Sequence, residues 1–116
     1  MAMTPEKRVK EKIVRILKKR EVYYFFPATH GFGRSGVPDI IICHRGHFLA
    51  IEVKAGKNIT TQLQEREIRL IRESGGTAVV VNETNVDAVN ALLDAIEVKY
   101  AQGHVNTDGA NGQPSP

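Results

Sequence analysis

Cysteine, tryptophan and long apolar runs are scarce or absent in this sequence, and each absence excludes a class of protein. Cys43 is the only cysteine, so no disulfide can form within the chain, and no Cys/His cluster has zinc-site spacing. No apolar run reaches the length that spans a membrane, and the N-terminal segment is too basic for a signal peptide. We therefore expect a soluble intracellular protein with Cys43 packed in its core.

Large apolar residues are also scarce at the C-terminal end of the chain. Residues 101–116 are rich in Gly, Asn and Pro, a composition that predicts a disordered tail. Residues 1–100 show no internal repeat and suit a single domain. A modest core is expected there, because apolar residues make up 41% of the 116-residue chain.

The rest of the chain alternates between helical and strand patterns. Thr4 and Pro5 begin a first helix, and Thr61 with Gln64 forms a capping box that begins a second. The patterns predict an α/β fold with an αβββαβ core and a third helix, in which a central mixed sheet is flanked by helices. Strands are expected at 21–26, 40–43, 48–51 and 77–82, and the later helices at about 62–74 and 85–100.

The most informative pattern is a pair of apolar runs on either side of a turn at Arg45-Gly46. A symmetric hairpin around this turn puts Asp39 opposite Glu52 on one face of the sheet. Like charges in that position destabilise a sheet, so the facing carboxylates need a compensating group, and a divalent cation is the simplest one. Lys54 points to the same face as Glu52. The pattern predicts a metal-dependent site that cleaves phosphodiester bonds.

Two more polar side chains are predicted to point inward from helices. Glu6 falls on the apolar stripe of the first helix, either as a contact of the helix end or as a third acid near the metal. Gln64 projects toward the apolar face of the second helix, where Leu63 is expected inside and Ile68 less centrally. It is either only a capping residue or also part of the site, whereas Gln62 points away.

Positive charge is concentrated near the N-terminus. Eight of the sixteen Lys and Arg residues lie among the first twenty residues, including Lys7 and Lys10. Such a helix is either a solvated surface or, beside a metal site, a surface for a polyanion such as nucleic acid. The glycine-rich loop after the first strand carries Arg34 and Ser35. This loop is either an ordinary turn or a segment that approaches a phosphate group.

The order of elements, with acids at the second and third strands, resembles the PD-(D/E)XK nuclease superfamily. Within it, the chain is similar to the VRR-NUC family over about residues 5–90. One departure follows Thr61, where the family often has Pro and this chain has Gln62, so Gln62 stays an alternative to Gln64. The resemblance is carried by Glu6, Gly36-Val37-Pro38-Asp39, Ala50-Ile51-Glu52-Val53-Lys54, and Gln64 upstream of Gly75-Gly76.

The resemblance implies a restriction-endonuclease-like core and a DNA endonuclease that depends on Mg²⁺ or Mn²⁺. The metal would be bound by two acids and a backbone carbonyl, with a third acid binding directly or through water. The implied catalytic residues are Asp39, Glu52, Lys54, Gln64 and Glu6, the metal ligands Asp39, Glu52, the Val53 carbonyl and Glu6, and the DNA-binding residues Arg34, Ser35, Lys7 and Lys10.

Small stand-alone members of the family are similar to archaeal Holliday junction resolvases. The resemblance therefore implies a homodimer that nicks four-way DNA junctions in the cytoplasm, encoded by a bacterium or a phage. A monomer would instead prefer a flap or another branched DNA. Two other interpretations stay open: a non-catalytic nucleic-acid-binding module on the same fold, and a structural domain with Asp39 and Glu52 at exposed strand ends. The presence of both acids together with Lys54 favours the nuclease.

Overall fold

A computed structural model of the protein describes residues 3–28 and 33–104. They form a four-stranded mixed sheet with helices on both faces, so the predicted α/β fold is confirmed. No helix in these two segments is long and apolar enough to cross a membrane. The elements in order are α1 (Pro5–Lys19), β1 (Tyr23–Phe25), β2 (Ile40–His44), β3 (His47–Val53), α2 (Gln62–Glu73), β4 (Thr77–Val81) and α3 (Ala88–His104).

The β2–β3 hairpin has the predicted register. Ile40 pairs with Ile51, and His44 pairs with His47, on either side of a two-residue turn. Arg45 and Gly46 both have positive φ, 51° and 76°, as in the turn type that matches the twist of a hairpin. Because the turn contains two residues, the pairing extends symmetrically to the ends of the strands.

The sheet has the order β1-β2-β3-β4, in which β1, β2 and β3 are antiparallel neighbours and β4 runs parallel to β3. The parallel pair is connected through α2, as expected for a strand–helix–strand unit. α1 and α3 cover one face, where Ile13 and Leu93 pack on Ile51, and α2 covers the other, where Ile68 packs with Ile41. The hairpin is therefore apolar on both faces.

Several predicted boundaries need correction. α3 begins at Ala88 rather than at residue 85, because Asn82 and Asn85 form a turn in which the Asn82 amide donates to the Asn85 side chain. The helix continues to His104, so residues 101–104 do not belong to a disordered tail. The predicted tail beyond them, 105–116, lies outside the described residues.

Cys43 is exposed, so the prediction of a core cysteine was wrong. α2 packs over the β3–β4 half of one face of the sheet and leaves the half near β1 and β2 open. The side chains exposed there are Tyr23, Phe25, Cys43 and Phe48, which we call the open sheet face. The apolar pattern of β2 indicated two covered faces but not how far along the strand each helix reaches.

The buried side of α2 also differs from the prediction. Leu63, expected inside, is 49% exposed, so that prediction was wrong, whereas Ile68, expected less centrally on the same face, is buried. Glu67, which the sequence analysis did not single out, is buried next to Ile68. α2 is thus rotated about its axis relative to the expected phase. Its polar residue Gln64 faces β3, and Glu67 faces the loop before β2.

Candidate active site

Asp39 and Glu52 occupy the same end of the hairpin, each one residue beyond the last β2–β3 pair, Ile40 with Ile51. Asp39 precedes β2, and its Oδ2 accepts a hydrogen bond of 2.8 Å from the backbone amide of Val53. This bond crosses from β2 to β3 and holds the carboxylate beside the end of β3. Glu52 is the preceding residue on β3 and is only 3% exposed. The register therefore brings the two acids together as predicted.

The carboxylate of Glu52 is bound on one oxygen only. Its Oε2 accepts a hydrogen bond of 2.9 Å from Gln64 Nε2 and lies 3.6 Å from Lys54 Nζ. Its Oε1 is buried and has no hydrogen-bond partner among the described residues. A buried carboxylate oxygen without a partner is costly, and native structures keep few of them without a reason. Two neighbouring carboxylates, one of them with a buried oxygen that no described residue binds, have the ligand chemistry of a hard divalent cation site.

The ionisation of Glu52 reflects the same arrangement. Burial, followed by the negative charge of Asp39, raises the pKa of the Glu52 carboxyl from 4.5 to about 8, and Lys54 only partly offsets this. Glu6 adds a smaller repulsion. A cation placed between the carboxylates would reverse this shift, because positive charge favours the ionised form. Without a metal ion, the Glu52 carboxyl therefore keeps its proton up to its raised pKa of about 8.

Gln64 serves both as a cap and as a site residue, so the two interpretations of this residue are not exclusive. Its Oε1 accepts a hydrogen bond of 2.9 Å from the Thr61 amide and completes the capping box, while its Nε2 donates to Glu52. One amide group thus joins the first turn of α2 to β3. Gln62 is exposed on the other side of the helix. Gln64 is the glutamine that contacts the acid pair.

The glycine-rich loop contributes to the site through the close packing of Gly36 against α2. A Cβ on Gly36 would lie 2.6 Å from the backbone carbon and oxygen of Leu63 and 2.9 Å from the Gln64 nitrogen. Its φ of +80° is also in the region that favours glycine. The loop therefore packs directly on the first turn of α2. The motif contained this signal, a glycine three residues before Asp39, but the sequence did not show what approaches it.

Asp39 lines a cavity of about 730 Å³ beside the N-terminal end of α1, together with the adjacent Val53. Glu6 lies on its wall but is exposed, so the prediction that Glu6 points into the interior was wrong. In the described segments, no three acidic, His or Cys side chains are close enough to hold one metal ion. Glu6 therefore influences Glu52 through its charge from a distance. The other residues of the wall include Lys7, Lys10, Asp39, Val53 and Lys57.

Arg34, which the sequence suggested as a DNA-binding residue, forms an ion pair with a residue of α2. Its guanidinium makes three hydrogen bonds of 2.9–3.1 Å to both carboxylate oxygens of Glu67. Glu67 is buried, and Arg34 neutralises it, so the pair anchors the loop to α2. Glu67 follows Gln64 by three residues, so the helical phase that picked out Gln64 could also have identified it. Ser35, also predicted to bind DNA, is exposed on the same loop.

Two solved structures share this arrangement of strands and helices. One, described as a VRR_NUC domain, has a TM-score of 0.63 at 23% identity, covering 79% of this chain and 97% of that structure. Another, described as a VRR_NUC domain protein, has a TM-score of 0.59 at 20% identity, covering 88% and 92% respectively. No protein-family model and no curated protein matches the sequence. The structural likeness confirms the fold that the acid and glycine motifs indicated.

Proposed function

We propose that this chain, which has the fold of VRR_NUC domains, is a member of that family and a metal-dependent DNA endonuclease. The observation that carries the proposal is the state of Glu52. Glu52 is only 3% exposed, faces a second acid and has one oxygen without a partner among the described residues. Such a carboxylate lowers the stability of the fold, so its presence indicates that it serves a site. The adjoining cavity has lysines on its wall, which suits a phosphodiester substrate.

The metal would be Mg²⁺ or Mn²⁺, held by Asp39, Glu52 and the backbone carbonyl of Val53, with Glu6 acting through water. Oxygen ligands of this kind suit hard divalent cations. When bound, the ion would supply a water of lowered pKa and would stabilise charge on the phosphate. The hydrogen bond from the Val53 amide to Asp39 supports this role, because it orients the carboxylate toward β3.

Lys54 and Gln64 would perform the remaining tasks. The ammonium of Lys54 would neutralise the negative charge that develops on the phosphate, or hold the attacking water, and its position 3.6 Å from Glu52 keeps it at the acid pair. Gln64 would act on Glu52 as a positioning residue, because its 2.9 Å hydrogen bond fixes one carboxylate oxygen and leaves the other one available.

DNA would bind along the N-terminal half of α1, which carries lysines of the cavity wall. Lys7, Lys10 and Lys57 belong to the wall of the same cavity as Asp39, so these cations and one acid of the pair face one space. Binding to phosphates releases counterions, so affinity should fall steeply with salt. Such a reaction belongs in the compartment that contains DNA, the cytoplasm of a bacterium or of a phage-infected bacterial cell.

We further propose that the enzyme is a homodimer that resolves four-way DNA junctions. Two observations support a second copy. β1 is an edge strand whose outer backbone groups are open to pairing, and the open sheet face adjoins it with Tyr23, Phe25 and Phe48 each more than 40% exposed. A dimer would present two cleavage sites for opposing strands, whereas a monomer would prefer a flap.

Cleavage of labelled four-way junction, flap and blunt duplex in Mg²⁺, Mn²⁺ or EDTA tests the proposal, with a sizing column run in parallel. Paired symmetric nicks in the junction, dependent on metal and made by a dimer, are the expected result. Cutting of flaps by a monomer would show that the enzyme is a flap endonuclease and not a junction resolvase. Salt-sensitive binding without cleavage in either metal would contradict the enzyme and favour a binding module.

A further inference from the structure

Phe26 is a large apolar side chain that neither the core nor the proposed reaction uses. Its ring is 47% exposed, immediately after the end of β1. Phe25 pairs with Ile41, so the next residue along the chain lies beside Ile40, which follows Asp39. Phe26 therefore lies at the same end of the sheet as the acid pair.

Lys10 connects this ring to the cavity. Its Nζ lies 4.0 Å from the centroid of the Phe26 ring, and Lys10 is also part of the cavity wall that contains Asp39. The ring thus contacts a cation and still remains about half exposed. Because Lys10 contacts both the ring and the cavity, Phe26 lies beside the wall that contains Asp39.

The position of Phe26 separates it from the open sheet face. Its ring lies 5.7 Å from that of Tyr24, which packs on the α1 side of the sheet. The rings of Tyr23 and Phe25 lie 6.4 Å apart on the other side. A partner that covers only the open sheet face would therefore leave Phe26 exposed.

An exposed aromatic ring next to a lysine at a nuclease cavity suits an unpaired nucleotide. Every DNA base has a flat face that stacks on aromatic rings, and the lysine can bind the adjoining phosphate. A cation–π contact at an exposed position is weaker than the stacking of a base. A base can therefore replace the ammonium on the ring, and the ammonium is then free to pair with the phosphate.

We propose that Phe26 stacks against an unpaired DNA base beside the cleaved phosphate, while Lys10 moves from the ring to the phosphate of that nucleotide. This inference rests on the proposed nuclease function and sharpens its substrate class. The enzyme would require a splayed or unpaired nucleotide at the cleavage site, as at a branch point, and would bind uninterrupted duplex less tightly.

Fluorescence anisotropy in EDTA measures this preference without cleavage. The probes are a duplex that ends in two unpaired arms and a blunt duplex of the same base-paired sequence. The proteins are wild type, Phe26→Leu, which keeps apolar bulk but lacks the ring, and Phe26→Trp, which enlarges it. Val98→Ala on α3 is the matched control, because Val98 is an exposed apolar residue that no proposed site uses.

Wild type and Phe26→Trp should prefer the splayed probe, and Phe26→Leu should bind it about 10-fold more weakly, as expected for one lost base stack. Its affinity for the blunt probe should stay within about 2-fold. An unpaired 2-aminopurine in the splayed probe should be quenched by wild type and not by Phe26→Leu. Equal affinity of wild type and Phe26→Leu for the splayed probe, or an equal loss on both probes, overturns the proposal.

Melting temperatures of all four proteins exclude a folding defect. Cleavage of the splayed probe in Mg²⁺ tests the underlying function separately. If wild type shows the stacking effects but never cleaves DNA, the proposed nuclease function fails and the stacking site stands. If it cleaves DNA and Phe26→Leu behaves as wild type in both binding assays, only the stacking site fails.

Discussion

Gln64 ties the first turn of α2 to the buried carboxylate of Glu52 through the two ends of one amide group. Its oxygen accepts from the Thr61 amide and its nitrogen donates to Glu52 Oε2, each at 2.9 Å. The capping box fixes the side chain in one rotamer, and that rotamer presents the Nε2 to β3. Helix capping and the orientation of the acid are therefore one interaction, which makes both sensitive to the placement of α2.

The first prediction concerns the acid itself. Glu52→Gln should reduce metal-dependent DNA cleavage by at least about 100-fold, because a neutral amide would replace a charged metal ligand. DNA binding in EDTA should persist, since the lysines of the cavity wall are unchanged. The measurement compares single-turnover cleavage with anisotropy. Glu73→Gln, at the exposed end of α2, is the control and should cut as wild type. Cleavage by Glu52→Gln at the wild-type rate would contradict the assignment.

The second prediction concerns stability and pH without metal. Because the folded state raises the Glu52 pKa from 4.5 to about 8, it binds a proton that the unfolded chain has released. Stability is therefore retained below about pH 4.5 and lost as the pH rises toward 8, by an amount on the order of a few kcal/mol. Urea unfolding in EDTA at pH 5 to 8 measures this loss.

Glu52→Gln should remove that part of the pH dependence and make the protein more stable than wild type at pH 8. Glu73→Gln should follow the wild-type curve, and Mg²⁺ or Mn²⁺ should flatten the curves of both proteins, because both keep the acid pair. Parallel curves for wild type and Glu52→Gln across this range would show that the carboxyl does not titrate between pH 4.5 and 8.

The third prediction separates the two roles of Gln64. Thr61→Ala removes the cap hydroxyl and should cost about 1 kcal/mol of stability, with cleavage little changed because the contact with Glu52 remains. Gln64→Ala should cost a similar amount and also reduce the rate constant of cleavage about 10-fold or more, since Glu52 loses its only hydrogen bond to α2. Equal cleavage by the two variants would mean that Gln64 is a cap alone.

The fourth prediction tests how the loop positions α2. Gly36→Ala should destabilise the protein by about 2 kcal/mol or more, because its Cβ would lie 2.6 Å from the Leu63 backbone, which cannot move without displacing Gln64. Gly33→Ala is the matched control: its φ of +81° is equally unfavourable for alanine, but no atom of residues 3–28 or 33–104 would lie within 4 Å of its Cβ. It should cost about 1 kcal/mol. Equal losses in thermal unfolding would show that backbone strain, not the contact, explains Gly36.

Most of the fold was predictable because its determinants are local. The turn at Arg45-Gly46, with two positive φ angles, sets the register of the hairpin, and the alternation of side chains then places Asp39 and Glu52 together. The start of α1 at Pro5 likewise follows from its own capping sequence. Each of these features depends on residues that are close along the chain.

The errors share a different cause. Arg34 and Glu67 are 33 residues apart, and nothing near either one indicated that they pair. Cys43 lies in an apolar strand, yet it is exposed because α2 does not extend over it. Glu6 has the phase of a buried residue but lies at the open end of α1. A periodic pattern gives the direction of a side chain, and only the assembled neighbours determine what covers it.

The sequence alone determined that two acids and a lysine share one face of a hairpin, since strand periodicity and a two-residue turn are properties of a short segment. The tertiary structure decided the chemistry of that face. Burial under α2 gives Glu52 its raised pKa, and the Gln64 contact leaves one of its oxygens without a partner. Desolvation and contacts between distant elements exist only once the helix has packed on the sheet, so no local pattern could contain them.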